Sequence, residues 1–88
     1  MNATEALREF VTYTIAHLID FPEQASVAIE KDPNSELITY RIHCANSDIK
    51  RIIGKHGLTI SSIRSLLQAA AHKHQLRVNL RIHESQED

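Results

Sequence analysis

The sequence predicts an α+β fold of two layers, a three-stranded mixed sheet covered on one face by three helices. Three observations lead there. Apolar residues recur at helical spacing over 3–19 and 58–74, and alternate with polar ones over 26–31, 36–44 and 76–83. Two glycines, the only ones in 88 residues, divide the segment between the second and third of those strands into two helices. That segment is long enough for a crossover, so the middle and last strands run parallel while the first two form an antiparallel hairpin. The order is α-β-β-α-α-β, and a chain of this length has room for a single core.

The first helix places Leu7, Phe10, Val11, Thr14 and Leu18 on one face, with Asn2 and Glu5 as a capping pair and Phe21-Pro22 as its end. Val27 and Ile29 mark the first strand, and Ile38, Tyr40, Ile42 and Cys44 the second. Between them Asp32-Pro33-Asn34-Ser35 favours a turn. The second strand turns Leu37, Thr39, Arg41 and His43 away from the core. Asn46 or Ser47 caps a short helix with Ile49, Ile52 and Ile53 on one face, which Gly54 stops. After Gly57 a longer helix buries Ile60, Ile63, Leu66, Leu67, Ala70 and Ala71. The last strand alternates Leu76, Val78, Leu80 and Ile82 with Arg77, Asn79, Arg81 and His83.

Charge is segregated along the chain. The net charge is −1, yet residues 1–40 hold two cations against seven carboxylates, and residues 41–83 hold eight cations against Asp48 alone. Glu84, Glu87 and Asp88 close the chain as an acidic tail, so the domain is expected over 1–84 and the tail over 85–88. Segregation of this kind suggests a polyanionic partner, with a solvated face as the simpler alternative. The single Cys44, the absence of a signal-peptide pattern and the lack of a long apolar run point to a soluble protein of the reducing cytoplasm, with no membrane partner.

Both glycines lie in the basic half. Glycine costs backbone entropy on folding, and one would suffice to end a helix; a second three residues on leaves a side-chain-free ledge. The helix start after Gly57 offers N–H groups and a partial positive charge, and Lys55 adds a full one. Such a ledge suits a phosphodiester. A G-x-x-G by itself is more often a plain turn between helices.

The longer string Ile52-Ile53-Gly54-Lys55-His56-Gly57-Leu58-Thr59-Ile60-Ser61-Ser62-Ile63 resembles the KH signature, and the element order is that of the type II KH fold. With Phe21-Pro22-Glu23, Asp48, Ile63-Arg64 and Ala69-Ala70-Ala71, nearly the whole chain resembles the KhpA (YlqC) family of small stand-alone bacterial KH proteins. The resemblance implies single-stranded RNA as partner, the loop clamping about four nucleotides of backbone. Gly54 and Gly57 would then admit the sugar-phosphate chain, Lys55 would pair with a phosphate and His56 would donate a hydrogen bond or stack. Leu58 stands where the family often has a basic residue, leaving Lys55, His56 and Arg64 as the phosphate contacts.

Ile49, Ile53 and Ile60 are candidates for the groove floor, though each is equally suited to the core, and Arg41 and His43 are candidates for its far wall. Arg77 and Arg81 fall on the open sheet face, outside the expected path of the nucleic acid. Phe10, Tyr13, Phe21 and Tyr40 belong to scaffold elements, so weak discrimination between sequences is expected. The resemblance further implies RNA chaperone or post-transcriptional regulatory activity, links to cell elongation, division and envelope homeostasis, and a homodimer or a heterodimer with a KhpB-like protein. His72-Lys73-His74 lacks the i, i+4 spacing of a helical ligand pair, and no catalytic arrangement is recognisable; neither metal, cofactor, small-molecule substrate nor enzymatic activity is expected. A protein-recruiting module and a single-stranded DNA binder remain the alternatives.

Overall fold

The structure is a computed structural model that describes residues 1–83; the acidic tail at 85–88 lies outside the described residues. Helix α1 (Ala3–Ala16) leads through a single 3-10 turn (Pro22–Gln24) into strands β1 (Ser26–Lys31) and β2 (Leu37–His43). A second 3-10 turn (Asn46–Asp48) precedes helix α2 (Ile49–Ile53), a third (Lys55–Gly57) joins it to helix α3 (Leu58–His72), and β3 (Arg77–Ile82) closes the fold. The sheet order is β1-β2-β3, with β1 antiparallel and β3 parallel to the central β2, as the pattern predicts. Helices α1 and α3 lie on one face, and α2 packs against α3.

Helix α1 begins where Asn2 Oδ1 accepts the Glu5 N–H at 2.9 Å, the expected cap. Its buried stripe is Leu7, Val11 and Ile15, an i, i+4 ladder; Phe10 sits at the rim and Tyr13 is 71% exposed. The helix also stops three residues earlier than the periodicity suggests. Leu18 N–H turns back to the Ile15 carbonyl at 2.9 Å, and the tightened chain carries Ile19 into the core outside the helix.

The hairpin turn is held by its polar side chains. Asp32 Oδ1 accepts Asn34 N–H at 2.9 Å, Asp32 O accepts Ser35 N–H at 3.2 Å, and Ser35 Oγ accepts Leu37 N–H at 3.0 Å. From there Ile38, Tyr40 and Ile42 of β2 meet Val78 and Leu80 of β3 under Leu67 and Ala71 of α3, all at most 7% exposed. Tyr40 is fully buried, and its hydroxyl donates to the Thr4 carbonyl at 2.7 Å, which ties the sheet to the start of α1. Burial pushes the Tyr40 phenol above its ordinary pKa.

Two edges of the design differ from the sequence expectation. Neither Asn46 nor Ser47 caps α2; the residue at its start is Asp48, and its carboxylate points elsewhere. Leu66 is 60% exposed rather than buried, because α3 turns only Ile60, Ile63, Leu67 and Ala71 to the sheet. At the far end of α3, Gln75 takes a left-handed φ of 58°, with Gln75 N–H bonded to His72 O and Leu76 N–H to Ala71 O, a Schellman ending built without glycine.

The outer side of β3 faces α3. Arg64 donates Nε and Nη2 to the Leu80 carbonyl at 3.2 and 2.9 Å, Gln68 Nε2 reaches the Val78 carbonyl at 3.3 Å, and Asn79 Oδ1 accepts the Leu80 N–H at 2.9 Å.

Candidate nucleic-acid interface

Everything at the loop depends on how α2 is presented. Asp48 is completely buried, and its two carboxylate oxygens accept the N–H groups of Asp20 and Phe21 at 2.9 and 3.0 Å. Arg51 adds an ion pair to Asp20 at 2.9 Å and a looser contact to Asp48 at 3.7 Å. The turn after α1 and the start of α2 are thereby joined, and Ile52, fully buried, pins the helix from below.

Gly54 ends α2 with φ 74° and ψ 177°, its N–H bonded to Lys50 O at 2.9 Å. A β-carbon built there would lie 2.6 Å from Thr59 Cβ, so packing as well as φ requires glycine. His56 and Gly57 follow in the left-handed region, at φ 57°, ψ 23° and φ 75°, ψ 11°. Their backbone conformation alone does not demand glycine, since both His56 and Gln75 adopt it with a side chain. Around Gly57 nothing lies within 4 Å of the missing β-carbon. Its bareness serves no internal contact.

The amides are less free than the sequence suggests. Gly57 N–H bonds to Gly54 O at 3.1 Å, and Leu58 N–H returns to Lys55 O, so the 3-10 turn consumes both. Lys55 and His56 are exposed on the outside of this turn.

Beside the loop lies a cleft of about 630 Å³ lined by Arg41, Ile53, Ile60, Arg64, Arg81, Ile82 and His83. Four of the sequence candidates, Arg41, Ile53, Ile60 and Arg64, therefore meet around one space. Ile53 is 37% exposed and Ile60 9%, so the first supplies apolar wall and the second mainly floor. Ile49 is half-buried and stands outside the lining. His43 is also outside it, but its ring lies against that of His83, with centroids 4.5 Å apart.

Arg81, which sequence reasoning left out of the candidate site, lines the cleft. It shares the open sheet face with Arg41, its register partner, yet both side chains reach round to the cleft. The alternation correctly assigned the face; it carried no signal that the cleft opens onto that face at the strand end.

Opposing acids reduce the cationic excess of this half. Arg41 Nε binds Glu30 Oε2 at 2.9 Å, and this hydrogen bond holds the Glu30 carboxyl below its usual pKa and raises that of Arg41. Arg51 is engaged by Asp20. Among the described residues Lys55, Arg64 and Arg81 form no ion pair. Burial, then the Asp48 charge, pushes the half-buried Cys44 thiol up, away from the reactive thiolate.

On the opposite side of the loop, Thr14 of α1, Leu18 in the turn after it, and Leu58, Thr59, Ser62, Ile63 and Leu66 of α3 line a shallow groove of about 360 Å³. Leu58 and Leu66 are 64% and 60% exposed. No described helix is long and apolar enough to cross a membrane, and the described residues contain no cluster of three metal-ligating side chains.

Comparison with known proteins places the chain in a family. The family model described as KhpA/KhpB, KH domain, matches residues 8–82. The chain is 41% identical over 78 residues to the RNA-binding protein KhpA of Chlamydia pneumoniae, covering 89% of this chain and 97% of that one. It is 35% identical over 74 residues to the RNA-binding protein KhpA of Treponema pallidum, covering 84% and 90%, and 30% identical over 76 residues to that of Listeria monocytogenes, covering 86% and 97%.

Proposed function

The chain belongs to the KhpA/KhpB family of KH domains, and from that premise we propose that it binds single-stranded RNA, its backbone laid on the loop Gly54-Lys55-His56-Gly57 and its bases directed into the neighbouring cleft. The observation that carries this is Gly57, bare at a position where a side chain would meet nothing in the protein. Lys55 pairs with a phosphate, His56 donates from the turn, and Ile53 and Ile60 give the bases an apolar surface. Arg64 offers the guanidinium N–H groups not spent on Leu80, Arg41 serves as the far wall, and His43 contributes from just outside the lining through its contact with His83. About four nucleotides fit a grip of this kind.

One such grip is weak, and two loops presented by a dimer would raise the effective concentration on the same strand. The exposed Leu58 and Leu66 face supports a homodimer or a pair with a KhpB-like partner. A domain of 1–84 with a short acidic tail, a cytoplasmic location, RNA chaperone or regulatory activity, and links to cell elongation, division and envelope homeostasis complete the proposal by family resemblance.

The test is the double variant Lys55→Asp, His56→Asp, with binding of a fluorescent RNA oligonucleotide followed by anisotropy. Binding is expected to be lost while the thermal midpoint hardly moves, because both side chains are exposed. Unchanged affinity refutes the site. Competition with DNA of equal sequence at fixed salt separates RNA from single-stranded DNA, and a wild type that binds a partner protein but no RNA identifies a recruiting module.

A further inference from the structure

Beyond Ile82 the last strand continues for one residue. His83 donates its N–H to the Ile42 carbonyl at 2.7 Å, extending the β2–β3 pairing and bringing the His83 ring beside that of His43. The ring centroids are 4.5 Å apart and the planes are inclined by 31°, a tilted contact of the two rings. His43 is half-buried and His83 exposed, so the second ring has a face open to solvent. One rung earlier Arg41 and Arg81 stand opposite each other. On β1 the register partners of His43 and Arg41 are the small Ser26 and Ala28, leaving the surface beside the pair low, with Glu30 as the acid that bounds it.

Cross-strand packing accounts for two rings touching; it does not account for their position. His83, Arg81 and Arg41 line the same cleft as Ile53 and Ile60, so the imidazole pair lies where that cleft opens onto the bare face of the sheet. Among the described residues no phenylalanine or tyrosine lines the cleft, and aromatic rings are the surfaces on which single-strand binders stack bases.

We propose that the paired imidazoles of His43 and His83 form a stacking ledge for a nucleotide outside the four held at the loop, with Arg41 and Arg81 holding its phosphate, so that the nucleic acid leaves the cleft across the open sheet face. This rests on the RNA-binding reading given above and lengthens its footprint. Since every base has a π-face, the ledge adds affinity without choosing a sequence.

The experiment compares the RNA tetramer CAAC with the octamer ACCAACCA, neither able to self-pair, on the full chain. The octamer is expected to bind more tightly, and His83→Ala to cost it roughly fivefold more than it costs the tetramer. His83→Phe, which keeps a ring, is expected to restore the difference, and His83→Gln is not. In the wild type the His83 ring protons should move upfield on adding the octamer. Equal losses for both lengths, or a phenylalanine variant as poor as alanine, overturn the ledge. The Lys55→Asp, His56→Asp variant separates the two claims: if it still binds the tetramer, the loop assignment fails; if it does not while His83→Ala is silent, only the ledge fails. A wild type that binds neither RNA at millimolar concentration defeats both.

Discussion

The carboxylate of Asp48 holds the backbone N–H of Phe21 at 3.0 Å across 27 residues of sequence, and its other oxygen holds that of Asp20. A buried acid is thus spent on aligning the end of one helix with the start of the next. Asp48→Ala strands two amides and removes two charge-assisted hydrogen bonds, for an expected loss of about 3 kcal/mol. Asp48→Asn, which keeps one acceptor, should lose less. Urea unfolding measures both, and a cost below about 0.5 kcal/mol for alanine would show that the junction is held by something else.

The two glycines should separate cleanly. Gly54→Ala must accommodate both a left-handed φ and Thr59, and is expected to cost about 2 to 4 kcal/mol. Gly57→Ala meets no neighbour and should cost about 1 kcal/mol, while its RNA affinity falls about tenfold or more because the methyl group occupies the ledge. Stability and anisotropy measured on the same samples distinguish a packing glycine from a contact glycine.

Glu30 restrains Arg41. Glu30→Gln frees that guanidinium for phosphate, so RNA binding should tighten and its salt dependence steepen by about 0.7 in log–log slope, the single-strand value for one added phosphate contact. The acid limb gives a second readout. Glu30's pKa is depressed in the fold, so the pair contributes stability above the ordinary glutamate value near 4.3 and loses it as pH falls through that value and then through Glu30's own lower one. In the glutamine variant stability should vary less over that window.

Gln75 occupies a backbone conformation that glycine takes without strain. Gln75→Gly should therefore raise stability by about 0.5 to 1 kcal/mol, read from the urea midpoint, with RNA binding unaffected because the residue is at the opposite end of α3 from the loop. A destabilised variant would show that the side chain makes a contact worth more than the strain.

Leu66→Glu probes the exposed face of α3. If two copies meet there, sedimentation should find a dimer for the wild type and a monomer for the variant, with an unchanged far-ultraviolet spectrum, since Leu66 is 60% exposed. A wild type that stays monomeric removes this face as a self-association surface.

What the sequence disclosed was what is local. Alternation through Ile38, Tyr40 and Ile42 and through Val78 and Leu80 named the buried side of each strand, and the glycines placed the loop. The helix stripes came out partly rotated. Leu66 and Phe10 read as core because a hydrophobic period cannot tell a buried stripe from an apolar flank beside it, whereas Ile15 needed the i, i+4 ladder from Leu7 and Val11. Asp48 was visible as the lone acid of a basic segment, but its partners are backbone amides, which have no sequence signature. Arg81 and His83 could be assigned to a face and not to the cleft, because where a strand ends relative to a neighbouring helix is decided by packing.

The bonds that Arg64, Gln68 and Asn79 make along the outside of β3 have a consequence for the molecule in company. A bare strand margin invites a stranger's strand to continue the ladder, and repeated often enough that becomes a fibril. Here the main-chain carbonyls of Val78 and Leu80 are already answered from within, so a neighbouring copy finds those acceptors taken, and crowding should bring any added strand to the other margin of the sheet, β1.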